Sequence, residues 1–274
     1  IFATPQERLE KLQHSFGGYW RYTGLLDFCY LVNPYFPKKR MVEEMTANFE
    51  PLLRDYPSGM GVNSLLAAKY FGLCHDYVSV GNGAAELIKS LMGYLPGTIG
   101  VTYPTFEEYP NRLAPERIVK FNPGNKDFSY TSEDLKRYFE AHPVDNLLLV
   151  NPDNPSGNFI RRRDIESLAD WASTRGMRLI VDESFVDFAD EAENETLLHN
   201  DILEAYPSLC VIKSISKSYG VPGLRLGILA TSDKALTSSM RKDVAIWNIN
   251  SFAEFYMQIF GKYEKDYFRS CIKF

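Results

Sequence analysis

Cysteine is scarce in this chain: four in 274 residues, Cys29, Cys74, Cys210 and Cys271, all far apart. There is no Cys-x-x-Cys, and the histidines (His14, His75, His142, His199) follow no zinc-type spacing. This excludes a zinc ribbon and a disulfide framework, and leaves reduced thiols in a cytoplasmic protein as the plain reading. Positive charge is not in excess either. Against 30 Lys and Arg stand 35 Asp and Glu, a net charge of −5, so no basic field points to nucleic acid or an anionic membrane. No apolar run approaches the roughly 18 residues of a membrane span, and no signal-peptide pattern occurs. Internal repeats and low-complexity linkers are absent. The chain lacks an initial methionine and stops at Phe274 within an aromatic-rich stretch, so both ends read as cuts in a longer polypeptide.

What is present is apolar and ordered. The chain is 45% hydrophobic and 14% aromatic, enough for a large core in one big domain or two ordinary ones. The patterning predicts a helix over 62–71, a strand over 77–80 running into Gly81-Asn82-Gly83, and a helix with Leu87, Ile88 and Leu91 on one face. A strand over 98–103 stops at Pro104. Short apolar runs at 146–150 and 177–181 read as strands buried on both faces, separated by a helix over 164–175. Strands over 208–212 and 224–231 follow, then helices from 234 to 241 and from 251 onward. Strands alternating with helices of this length imply an α/β fold with a mostly parallel sheet. We expect an irregular N-terminal arm over 1–56, a large domain over 57–250, and over 251–274 the start of a helix leading out of it.

In such a sheet, functional groups collect at the carboxyl ends of strands, and five segments fall there. Gly81-Asn82-Gly83-Ala84-Ala85-Glu86 is either a tight turn or a turn whose N–H groups face an anion. In Tyr103-Pro104-Thr105-Phe106, Phe106 either joins the core or stacks on a planar ring. The prolines and glycine of Asn151-Pro152-Asp153-Asn154-Pro155-Ser156-Gly157 hold a rigid loop whose asparagines offer amide donors. Asp182-Glu183 closes an apolar strand, where a carboxylate needs a cation; a protonated pyridine nitrogen, a magnesium ion and a bland helix N-cap remain open. The fifth, 214–227 (Ser-Ile-Ser-Lys-Ser-Tyr-Gly-Val-Pro-Gly-Leu-Arg-Leu-Gly), places Lys217 to form an imine, with Ser214, Ser216 and Arg225 beside it for a phosphate. The run Arg161-Arg162-Arg163 reads as a solvated charge run opening a helix, and Trp20, Trp171 and Trp247 read as core.

In this order the motifs resemble the fold-type I pyridoxal-phosphate enzymes, most of all the class I/II aminotransferases of the histidinol-phosphate aminotransferase group and their relative threonine-phosphate decarboxylase. The likeness runs from about residue 17 to 267. It implies a large seven-stranded-type sheet flanked by helices and pyridoxal 5′-phosphate as cofactor. By resemblance, Lys217 would form the internal aldimine, Asp182 pair with the pyridine nitrogen, Asn154 donate to the phenolic oxygen and Phe106 stack on the ring. Gly83, Ala84 and Ala85, with Ser214, Ser216 and Arg225, would hold the phosphate. Tyr56 matches a tyrosine that reaches the phosphate of a neighbouring subunit, which implies a homodimer. Asn33-Pro34 matches the strand by which the family's chain comes in on the substrate side.

Two departures stand out. Phe185 replaces a tyrosine of many aminotransferases, and the run Asp-Glu-Ser-Phe-Val-Asp-Phe is nearer the decarboxylase side. The family also continues into a small C-terminal domain with the arginine that binds the substrate carboxylate, which would lie beyond Phe274. The expected activity is transamination of an amino acid or a phosphorylated amine. The rivals are decarboxylation of a phosphorylated amino acid and an inactive cofactor-binding module of a multifunctional protein. A nucleotide-binding reading resting on 81–83 would leave Lys217, Arg225 and Asp182 without a task.

Overall fold

The apolar runs bounded by turn residues become seven strands: β1 (Val78–Asn82), β2 (Ile99–Thr102), β3 (Ile118–Phe121), β4 (Asn146–Val150), β5 (Arg178–Asp182), β6 (Leu209–Ser214) and β7 (Leu226–Ala230). They form one sheet in the order β1-β7-β6-β5-β4-β2-β3. From β3 to β6 every pair is parallel; β7 runs antiparallel to both β6 and β1. The sheet is mostly parallel, as expected, and both its faces are covered. Leu147, Leu149, Leu179, Val181, Val211 and Ile228 enter one core, while Leu148, Val150, Ile180, Cys210, Ile212 and Leu229 enter the other. With both faces buried, no polar alternation survives in the sequence.

The computed structural model describes residues 4–7, 17–21 and 24–274; His14 lies outside them. The chain divides into two compact units, Ile1–Leu31 and Val32–Phe274. In the first, a short turn Tyr19–Arg21 carries an exposed Trp20, and Tyr19 meets Tyr30 with ring centroids 5.4 Å apart. The second holds the sheet and the helices α1 (Lys39–Ala47), α2 (Phe49–Arg54), α3 (Met60–Phe71), α4 (Ala84–Tyr94), α5 (Ser132–Ala141), α6 (Arg162–Ser173), α7 (Ala192–Glu195), α8 (Asn200–Ala205), α9 (Lys234–Asp243), α10 (Ser251–Ile259) and α11 (Glu264–Lys273). Helix α6 buries Ile165, Leu168, Ala169 and Ala172, the stripe its spacing predicts. Truncating Leu168 to alanine would cost about 2–5 kcal/mol. Helix α5 is fixed at its start by a reciprocal capping pair, Thr131 and Asp134.

Four expectations are corrected. Residues 39–54 of the supposedly irregular arm are helical: α1 buries only Met41 and α2 buries nothing, so no full apolar stripe announces them. Strand β3 was not expected, because three of its four residues are only half-buried or exposed at the sheet edge. Trp20 and Trp247 are exposed and not core. The arginine run is more than solvated surface. Arg161 ion-pairs with the largely buried Glu195 at 2.8 Å, and Arg162 donates its N–H to the same carboxylate.

Candidate active site

Asp182 is the last residue of β5 and is 4% exposed. Its Oδ2 accepts from the Tyr109 hydroxyl at 2.7 Å, and its Oδ1 accepts from the Ser184 N–H at 3.0 Å and hydroxyl at 2.5 Å. Burial pushes its carboxyl above the ordinary range, against these bonds, which favour the charged form; the charge of Lys213 is the least of the influences on it. The same environment raises the Tyr109 phenol well above its usual value, through burial and then the neighbouring carboxylate.

The other segments are stitched to this carboxylate. Asn151 N–H donates to Asp182 O at 2.8 Å, which seats the 151–157 loop beside it. The loop spends Asn151 on Ile160 through two bonds of 2.8 Å and Asn158 on Tyr130, with Asn154 half-buried between them. Ser214 N–H donates to Ser184 Oγ at 3.0 Å. Ser214 pairs in register with Gly227, and Gly227 lies directly against the start of α4. A Cβ on Gly227 would stand 2.4 Å from Ala84 N, and one on Gly83 would stand 2.3 Å from a guanidinium nitrogen of Arg225. Two glycines thus bring Arg225 against the N-terminus of α4, where the N–H groups of Ala84 and Ala85 have no intrahelical acceptor. Arg225 itself is held at φ 56°, a conformation that costs a non-glycine residue on the order of 1–3 kcal/mol. The Ser216 hydroxyl is buried without a hydrogen-bond partner.

Gly83, Ala84, Ala85, Asp182, Ser214 and Arg225 are therefore brought together at one end of the sheet. Lys217, half-buried, and Ser216 follow Ser214 there. Phe106 is 40% exposed and meets Tyr109 edge-on at 6.2 Å, so it is not core. Tyr56 stands apart: it is 78% exposed, and its ring lies tilted against Trp247 with centroids 4.5 Å apart.

Glu183 points to the opposite core. It accepts from Thr196 Oγ1 at 2.6 Å and Leu197 N–H at 2.9 Å, and lies 3.8 Å from Lys213 Nζ. The Asp-Glu magnesium pair is thereby overturned, and among the described residues no cluster of metal-ligating side chains occurs. Tyr109 and Ser184 were missed by sequence reasoning. Ser184 could have been found by its place two residues after Asp182; nothing local marks Tyr109. A separate cavity of about 590 Å³ opens on the Glu183 side, reaching Asp187, Lys213 and Tyr267. Among the described residues no helix is long and apolar enough to cross a membrane.

Known proteins resemble this chain in sequence and in fold. The sequence is 34% identical over 270 residues to CMP-5′-(3-aminopropyl)phosphonate synthase of Streptomyces rubellomurinus, covering 98% of this chain and 42% of that protein. It is 28% identical over 246 residues to an L-serine phosphate decarboxylase of Sulfurospirillum multivorans, covering 86% of this chain and 62% of the relative. The chain thus spans less than two thirds of these relatives. The fold matches the crystal structure of histidinol-phosphate aminotransferase from Clostridium acetobutylicum with a TM-score of 0.76 at 24% identity, over 90% of this chain and 73% of that one. The family described as aminotransferase class I and II matches residues 52–257. This chain belongs to that family, and its cofactor is pyridoxal 5′-phosphate.

Proposed function

We propose that the protein acts at the α-carbon of an amino acid bearing a phosphate or phosphonate group, and that the bond it breaks is the one to the α-carboxylate. The observation that carries the cofactor's placement is Asp182, a buried carboxylate at the end of β5 whose hydrogen bonds, among the described residues, come from the neutral donors Tyr109 and Ser184. A protonated pyridine nitrogen supplies a cation for it. The rest of the end of the sheet fits the same group. The partnerless Ser216 hydroxyl, Arg225 and the first N–H groups of α4 suit its phosphate, and the two glycines leave the room a side chain would fill. Phe106 would cover the ring and Asn154 would donate to its phenolic oxygen.

Bound there, the cofactor supplies an aldehyde carbon and an electron-accepting ring. Lys217 would hold it through Nζ and, once displaced by the substrate amine, would donate a proton at the substrate α-carbon in place of the lost carboxylate. Asp182 would hold the proton on the ring nitrogen. Decarboxylation is supported by the L-serine phosphate decarboxylase among the relatives and by Phe185, which removes a hydroxyl that many aminotransferases carry. Transamination is a second reading, favoured by the family itself; there Lys217 would instead take the proton from the α-carbon and pass it on to the cofactor. The exposed Tyr56–Trp247 ring pair, with the exposed Ile246, supports a homodimer in which Tyr56 reaches the partner's phosphate.

A single-turnover experiment with O-phospho-L-serine and O-phospho-L-threonine tests this. Carbon dioxide is expected in step with substrate loss; stoichiometric pyridoxamine phosphate in its place would convert the reading to transamination. Loss of both with Lys217→Ala is expected.

A further inference from the structure

The segment at Asn33 is laced onto the loop that carries Lys217. Asn33 is 1% exposed. Its N–H donates to Lys217 O at 2.9 Å. Its side-chain Nδ2 donates to Ser218 O and to Ser270 Oγ, both at 2.8 Å, and its Oδ1 accepts from Tyr35 N–H at 2.9 Å. Gly220, at φ 64°, lies against the same segment: a Cβ there would stand 1.8 Å from Phe36 O and 2.7 Å from Asn33 O. Ser218 is gripped from its other side. Its hydroxyl donates to Asp187 Oδ2 at 2.7 Å and accepts from Tyr267 at 2.9 Å, while Asp187 Oδ1 takes Lys213 Nζ at 2.9 Å.

We propose that Asn33 is a positioning residue for Lys217, acting through the backbone of residues 217 and 218. The inference rests on the reading of Lys217 as the cofactor lysine. A lysine side chain has four rotatable bonds, so its Nζ returns to one point reproducibly only if its Cα and backbone direction are fixed. Asn33 fixes them from above, through two bonds to consecutive residues; Asp187 and Tyr267 fix them from below, through Ser218. The reward for such fixing is large, because a misplacement of about 1 Å at a reacting group costs on the order of 10²-fold in rate. Asn33 also ties this loop to α11 through Ser270, so one buried amide joins the segment at residue 33, the lysine loop and the last helix.

The test uses the protein with pyridoxal 5′-phosphate itself. Lys217 Nζ and the cofactor aldehyde condense with release of water, and borohydride fixes the new carbon–nitrogen bond for peptide mass spectrometry. An adduct on Lys217, absent in Lys217→Ala, upholds the parent reading; an adduct elsewhere sinks it, whatever Asn33 does. Asn33→Ala is expected to slow adduct formation about 10–100-fold and to move the pH midpoint of the bound cofactor's visible absorbance by about half a unit or more. Ser270→Ala cuts only the far end of the contact and is expected to lower the melting temperature while leaving the adduct rate within about twofold. Ser218→Ala keeps both Asn33 bonds and releases Asp187, and is expected to slow adduct formation to an intermediate degree; Asn33→Asp, which keeps the shape of the side chain and loses both Nδ2 donations, decides the matter if Asn33→Ala does not fold. Wild-type adduct rates and an unmoved midpoint in whichever of Asn33→Ala and Asn33→Asp folds would overturn the proposal and leave Asn33 a packing residue.

Discussion

Asp182 and Glu183 are neighbours in sequence and both buried carboxylates, yet the strand sends them to opposite cores with opposite provision. Glu183 meets Lys213, which is 2% exposed and also pairs with Asp187 at 2.9 Å. Burial alone would lower the Lys213 ammonium, but the charges of Asp187 and Glu183 outweigh it and hold it above its usual value. On that side the chain brings its own cation. Among the described residues the hydrogen bonds to Asp182 come from two hydroxyls and one N–H, and the charge of Lys213 is the least of the influences on it. A carboxylate sealed from water is stable only if it is protonated or if a cation stands close to it, and a ligand can bring that cation. The contrast separates a structural acid from a receptive one.

Replacing the cation on the structural side gives the largest effect. Lys213→Met leaves the buried Glu183 and the half-buried Asp187 without it and should cost about 3–5 kcal/mol of unfolding free energy in denaturant titrations. Adding Glu183→Gln should recover part of that loss. Asp182→Asn should behave in the opposite way: unfolding free energy unchanged or raised, turnover with saturating cofactor down about 10²–10³-fold. If Asp182→Asn destabilises the cofactor-free protein as Lys213→Met does, the distinction between the two acids fails.

The pH dependence sharpens the same point. The folded-state pKa of Asp182 is raised above its unfolded value. Its contribution to stability is therefore complete below the ordinary carboxylate range, near 4, and is lost as pH rises through the raised folded value. Added pyridoxal 5′-phosphate brings a ring cation and offsets that loss, so the cofactor-induced rise in melting temperature should grow with pH across this window. In Asp182→Asn the growth should disappear. A cofactor effect that is flat with pH in the unaltered protein would break the pairing.

The sequence announced these groups unequally, for physical reasons. Asp182, Lys217, Arg225 and the Gly83 turn were legible because each closes or follows an apolar run, where turn residues and charge are conspicuous. Six of the seven strands were legible for the same reason; β3 was not, since an edge strand needs no continuous apolar run. The acceptor and donor roles around Asp182 were hidden. Tyr109 is 73 residues from it and sits in a loop whose aromatics look alike in sequence. Asn33 and Ser218 are 185 residues apart, and only the folded chain reveals that they touch.

Tyr109 gives the finest test. Its hydroxyl donates to Asp182 Oδ2 and so favours the charged carboxylate. Tyr109→Phe removes that donor while keeping the ring that fills the core, so Asp182 should hold its proton to still higher pH. The acid limb of the pH–rate profile should move up by roughly one unit, the equivalent of a hydrogen bond worth about 1–2 kcal/mol to a charged group, with turnover near its original level at alkaline pH. Thr196→Val removes a donor from Glu183 in the same way, but Lys213 remains beside that acid, so the limb should stay where it was. Equal shifts in the two variants would mean that the profile reports a general change in the strand end. A shift confined to Tyr109→Phe would tie it to the carboxylate whose cation comes from the ligand.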